Sequence, residues 1–180
     1  MRVASCVIAV ALAGCASDGS IKSGSWLIDQ RPDLITGAPV AGAITLTNQA
    51  SNSANPLMVS LATLQLTCFE KRPIAKVNFG FKIGTDRNTS LGYRFDEKPG
   101  RDAVESRVLL GHQVIVIEET AALQQFVAEL HGSNQLLVRI RSLNAGTSTA
   151  LFKVDGWEPA IEAAYRDCPL SPAQEARRTT

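Results

Sequence analysis

Alternation of apolar and polar residues constrains this chain more than any other feature. Val77, Phe79, Phe81 and Ile83 interleave with Lys76, Asn78, Gly80 and Lys82. A period of two sends the apolar set to one face of a strand and the polar set to the other, so the strand belongs to a sheet with one covered face. The pattern recurs. Leu64, Leu66 and Cys68 alternate with Gln65 and Thr67; Leu91, Tyr93 and Phe95 with Gly92, Arg94 and Asp96; Leu136, Val138 and Ile140 with Leu137, Arg139 and Arg141. Shorter strands are expected at Ala43 to Thr47, Val114 to Ile117 and Ala150 to Val154. Asn48 to Pro56 and Gly84 to Ser90 have turn or loop composition. The Leu91 run is expected to return as a hairpin on the Val77 run, and Asn144-Ala145-Gly146 to turn the Leu136 strand back into Ala150 to Val154.

Two helices join this sheet. Leu123, Phe126, Val127 and Leu130 fall at i, i+3, i+4 and i+7, with Thr120 as the expected cap and His131-Gly132 as the stop. The second runs from about Trp157 to Arg166, with Pro159 tolerated in its first turn. Trp157, Ile161, Ala164 and Cys168 fall at i, i+4, i+7 and i+11, which sets Cys168 on or just beyond its inward stripe. The expected fold is one α+β domain over residues 26–168: a mainly antiparallel sheet, or a sandwich, with two packed helices. Residues 169–180 read as a disordered tail.

The start of the chain gives an address. Met1-Arg2 precedes an apolar run from Val3 to Leu12 that is too short for a span of roughly 20 residues, and small residues follow it, as in a secretory signal. Leu12-Ala13-Gly14-Cys15 resembles the lipobox of bacterial lipoproteins; an ordinary signal peptide that contains a cysteine is the plainer alternative. The resemblance implies a leader of residues 1–14, diacylglycerol on the Cys15 thiol, and enough acyl chains for stable anchoring. Residues 15–25 are then a lipidated Ser/Gly-rich linker, reaching roughly 18 Å as a coil. With Ala16 and Ser17 rather than aspartate after the cysteine, the resemblance favours the outer membrane, the protein facing the periplasm.

Four cysteines are present. Cys6 lies in the leader and Cys15 takes the lipid, which leaves Cys68 and Cys168. Both face the core by separate pattern arguments, and in an oxidising compartment they are expected to pair; two separately buried thiols are the alternative.

Charge and motifs exclude several functions. The formal charge is +1, and removal of Arg2 brings it to zero, so there is no electrostatic footprint for nucleic acid. His112 and His131 are the two histidines, without HxH or HExxH spacing, and no CxxC is present; no metal site or cofactor is expected. No Gly-x-Ser-x-Gly elbow marks a nucleophile, and Glu118 and Glu119, adjacent on an extended segment, point apart. What remains is a surface. Arg94 and Asp96 share the outward face of one strand, and Arg139, Arg141, Lys153, Lys76 and Lys82 are outward on others. With Tyr93 beside Arg94, these could meet an anionic partner such as phospholipid headgroups or cell-wall polymer, or serve only as a solvated face that discourages aggregation. The leading expectation is a non-enzymatic envelope lipoprotein that binds a protein or envelope component. The alternative is a periplasmic hydrolase whose site is assembled from distant residues.

Taken together, Trp26, Leu64-Gln65-Leu66-Thr67-Cys68, Tyr93-Arg94-Phe95-Asp96, Leu136-Leu137-Val138-Arg139, Ala150 to Gly156 and Cys168 resemble the lipoprotein-like accessory proteins of type VI secretion, the VasI-like group. That resemblance implies a periplasmic accessory role without catalysis.

Overall fold

The computed structural model describes residues 20–29, 35, 42–109 and 111–170. The expected leader, the Leu12-Ala13-Gly14-Cys15 segment and the expected tail from residue 171 lie outside the described residues. Five strands come first: β1 (Ser20–Ser23), β2 (Trp26–Asp29), β3 (Gly42–Asn52), β4 (Asn55–Phe69) and β5 (Arg72–Phe79). A short 3-10 turn leads to β6 (Thr89–Phe95), β7 (Arg101–Val104), β8 (Arg107–Val108) and β9 (Val114–Ile117). Then come α1 (Thr120–Leu130), β10 (Gln135–Ser142), β11 (Gly146–Lys153) and α2 (Trp157–Ala164).

All strand pairs are antiparallel, in one sheet of order β7-β6-β10-β11-β3-β4-β5-β9-β8. One flank of β3 is shared: β2 takes Gly42 to Ile44 and β11 takes Ala50 to Asn52. The two edge strands, β7 and β8, are consecutive in the chain, with only Glu105 and Ser106 between them. Three peptide links cannot span more than about 11 Å. The sheet therefore curls until its edges come near each other, into a half-barrel rather than two stacked sheets.

The sequence patterns place the faces correctly and some neighbours wrongly. Leu91, Tyr93 and Phe95 are buried, but β6 does not return on β5: it pairs with β10 and β7, and β9 takes the free edge of β5. Periodicity reports which side of a strand is covered and is silent about which strand lies beside it. Asn48 to Pro56 is strand apart from the Ser53-Ala54 turn, because β3 and β4 form one long hairpin. At its far end β4 bulges out of register, with Leu57, Val59 and Leu61 exposed.

The concave side is the core. α1 sets Phe126 edge-on against Tyr93 and Phe95, at ring separations of 5.0 and 5.2 Å. Its N-terminus is capped by Glu119 rather than Thr120: the carboxylate accepts from the backbone N–H groups of Ala121 and Ala122 at 3.0 and 2.7 Å, and these bonds lower its pKa. At the other end the Lys98 ammonium donates to the carbonyls of Glu129 and His131 and to Ser133 Oγ. A cation there satisfies last-turn carbonyls and complements the helix dipole.

α2 lies against β2, β3 and β4 through Ala160, Ile161, Ala163 and Ala164. Cys168, just beyond it, is bonded to Cys68 on β4, with Cα atoms 6.0 Å apart. The N-terminal hairpin is part of this body rather than a loose linker. Ser25 donates from its N–H and its hydroxyl to Asp155, and Trp26 Nε1 donates to the Val154 carbonyl at 3.1 Å. A Cβ on Gly24 or Gly156 would collide with the other segment's backbone, so both positions require glycine. At the C-terminal side, Leu170 accepts a bond from Gln124, so the described part of the expected tail touches α1.

Candidate functional site

The convex face of β6, β10 and β7 gathers the charged residues that the alternation sent outward. In the β6–β10 register Arg94 lies opposite Leu137, Gly92 opposite Arg139, and Ser90 opposite Arg141. Side chains two residues apart on β10 share a face at roughly 6.7 Å spacing, so Arg139 and Arg141 form a row. The strand next to β6 supplies their partner. Asp102 Oδ2 lies 2.6 Å from Arg141 Nη2 and 3.3 Å from Arg139 Nη2.

Two local devices bring Asp102 across. β7 carries a register shift between the pairs Leu91–Val104 and Tyr93–Arg101, with Ala103 at φ 52°. A bulge of this kind re-aims a neighbouring side chain, and an alanine in the left-handed region costs roughly 1–2 kcal/mol. Such strain tends to collect at functional positions. The intervening strand also has no side chain in the way: a Cβ on Gly92 would stand 2.9 Å from the Arg101 carbonyl and 3.1 Å from Asp102 Oδ1. Desolvation pushes the Asp102 carboxyl up; the Ala103 amide and the Arg141 and Arg139 guanidiniums outweigh it and hold the group below its ordinary pKa.

Beside this pair runs a groove of about 290 Å³, lined by Gly92, Arg94, Gly100, Arg101, Asp102, Leu137 and Arg139 among others. Gly92 and Gly100 contribute only backbone to its lining. Arg101 is engaged by Glu129 at 2.7 Å, whereas no ion pair involves Arg94 among the described residues. The groove is thus cationic at its rim and apolar at its base.

The structure brings together Arg94, Arg139 and Arg141 and separates the other two expected members of the surface. The Tyr93 side chain is turned to the core and only 4% of the residue is exposed; burial first, and the nearby Glu129 charge second, raise the phenol's pKa. Asp96 is not beside Arg94 on the strand face. The chain turns at Asp96, with φ 44°, and its carboxylate accepts from the N–H groups of Asn134 and Gln135. Sequence reasoning missed Asp102. The signal was Gly92, a glycine at an outward strand position, which marks a close approach. Lys153 lies exposed on β11, one strand beyond the row, and Lys76 is on β5, four strands from β10.

The histidines lie elsewhere. His131 stacks on Trp157 at 4.4 Å between ring centroids. His112 borders a depression with Thr85, Asp86 and Arg87, where Asp86 Oδ1 accepts from the Val108 N–H at 2.7 Å. Among the described residues no group of three or more His, Cys, Asp or Glu could hold a metal, and no helix is long and apolar enough to cross a membrane.

No family model matches the chain, and no curated protein matches it. Among solved structures the fold is similar to invasion associated protein B from Bartonella henselae, at 12% identity and a TM-score of 0.50, over 82% of this chain and 96% of that one. At that identity the likeness is one of fold.

Proposed function

We propose that this protein is a non-enzymatic lipoprotein of the bacterial envelope that binds a protein or an anionic envelope component through the convex face of β6, β10 and β7. The observation that carries the binding role is Asp102, held on a strained bulge across Gly92 between Arg139 and Arg141, at the rim of a groove that a solvated face would not need. The lipobox resemblance of Leu12-Ala13-Gly14-Cys15 supports attachment through Cys15, the protein facing the periplasm from the outer membrane. The resemblance of its short motifs to those of VasI-like proteins supports an accessory place in secretion.

Attachment and geometry then fit together. β1 starts at Ser20, so residues 15–19 are all that separates a lipidated Cys15 from the body. Five residues reach at most about 18 Å, which keeps the domain close to the bilayer.

Cys15→Ser is expected to abolish incorporation of labelled palmitate and to leave the leader uncut by the lipoprotein peptidase, so that the full-length form accumulates. Unchanged labelling and processing of the variant would contradict the tether. A hydrolase remains the second reading, with the Thr85, Asp86 and His112 depression as its place.

A further inference from the structure

We infer that the Arg139–Arg141 pair is a carboxylate receptor, occupied in the free protein by Asp102, which an acidic residue on an extended peptide segment of the partner displaces. The inference rests on the binding role proposed for this face. Asp102 already displays the geometry of the ligand: one carboxylate oxygen lies within 3.3 Å of both guanidiniums. The occupant is exchangeable. The side chains of Asp102, Arg139 and Arg141 are all about half exposed, at 46, 46 and 52%, and ion pairs in such positions are weak. β7 pairs with β6 alone, so nothing beyond it in the sheet clamps the Asp102 segment in place.

The surroundings select the class of partner. Next to the receptor, the groove floored by Gly92, Gly100 and Leu137 holds about 290 Å³, space for a side chain or two of a bound segment. Arg94 stands at its far rim without an ion-pair partner among the described residues. An extended peptide places alternate side chains roughly 6.7 Å apart on one face, and Leu137, which lies opposite Arg94, is one such step along β10 from Arg139. It can therefore set one carboxylate on the pair and a second toward Arg94. A membrane surface is a poorer match. Attraction to anionic headgroups grows with the number of uncompensated cations, and here Asp102 answers two of the arginines and Glu129 answers Arg101.

Asp102→Asn, which keeps the shape and removes the competing charge, tests this with a fluorescein-labelled peptide of alternating glutamate and threonine, followed by anisotropy. Asp102→Asn is expected to bind it roughly fivefold to tenfold more tightly than the native chain. Arg139→Ala/Arg141→Ala is expected to lose binding while keeping the native circular dichroism spectrum. Equal or weaker binding by Asp102→Asn, or undiminished binding by the double arginine variant, overturns the receptor. So does a gain by Asp102→Asn on phosphatidylglycerol vesicles without one on the peptide. If Asp102→Asn shows no gain but a partner still cross-links to this face, the receptor fails and the binding role survives. If neither is seen, both fail.

Discussion

Replacing Cys68 and Cys168 together by serine is expected to lower the unfolding free energy by about 4–5 kcal/mol. The bridge joins residues 100 apart in sequence, and in the chain-entropy model a loop of that length restricts the unfolded chain by about 4.7 kcal/mol. A domain of this size has only about 5–15 kcal/mol in total, so the double variant should sit near the limit of folding at 37 °C. The loss has a location as well as a size. Cys168 follows α2 and Cys68 lies on β4, so the bridge holds the last helix on the sheet. Without it, α2 depends on its alanine-rich contact and on the Tyr165 hydroxyl, which donates to the Ile74 carbonyl at 3.0 Å. Urea denaturation should show a lower midpoint for the variant, and reductant should move the native protein to the same place. A variant within about 1 kcal/mol of native would remove the bridge from the account of stability.

Trp26→Ala is expected to cost about 3–5 kcal/mol, the range for emptying a large buried aromatic site. Trp26 is fully buried, at 0% exposure, and its indole N–H is bonded to the Val154 carbonyl. Trp26→Phe fills most of the space but leaves that carbonyl without its donor, and should cost about 1–2 kcal/mol. The two substitutions separate packing from hydrogen bonding by thermal denaturation. Hydrogen exchange should also speed up in β1 and β2 first, because Trp26 and the Ser25–Asp155 bonds pin that hairpin beside the start of α2. Equal costs for the two variants would mean that the hydrogen bond, not the ring, dominates.

The sequence discloses much of this molecule because its strands are covered on one side. Leu64, Leu66, Tyr93, Phe95, Leu136, Val138 and Ile140 are all buried as their alternation requires, and so is the α1 stripe of Leu123, Phe126, Val127 and Leu130. The Cys68–Cys168 pairing was legible for the same reason. Strand neighbours were not, since β6 could meet β5 or β10 with the same inward face. β7 and β8 escaped notice because Arg101–Val104 and Arg107–Val108 are short edge strands with little apolar content. The charged face was half legible. Arg94, Arg139 and Arg141 came from alternation, but Asp102 depends on a bulge at Ala103, a non-glycine residue in the left-handed region that no residue-type preference announces. Asp96 was misplaced because the turn begins one residue after the last periodic position, at Phe95.

That the protein works by binding through the convex face of β6, β10 and β7 is checked by placing a photo-reactive amino acid at position 137. Leu137 lies in the groove, between Arg139 on its own strand and Arg94 opposite. Irradiation of intact cells should give a discrete cross-linked species, and Arg94→Ala/Arg139→Ala should abolish it while leaving expression and cell fractionation unchanged. The same species at the same yield in the double arginine variant would contradict the claim.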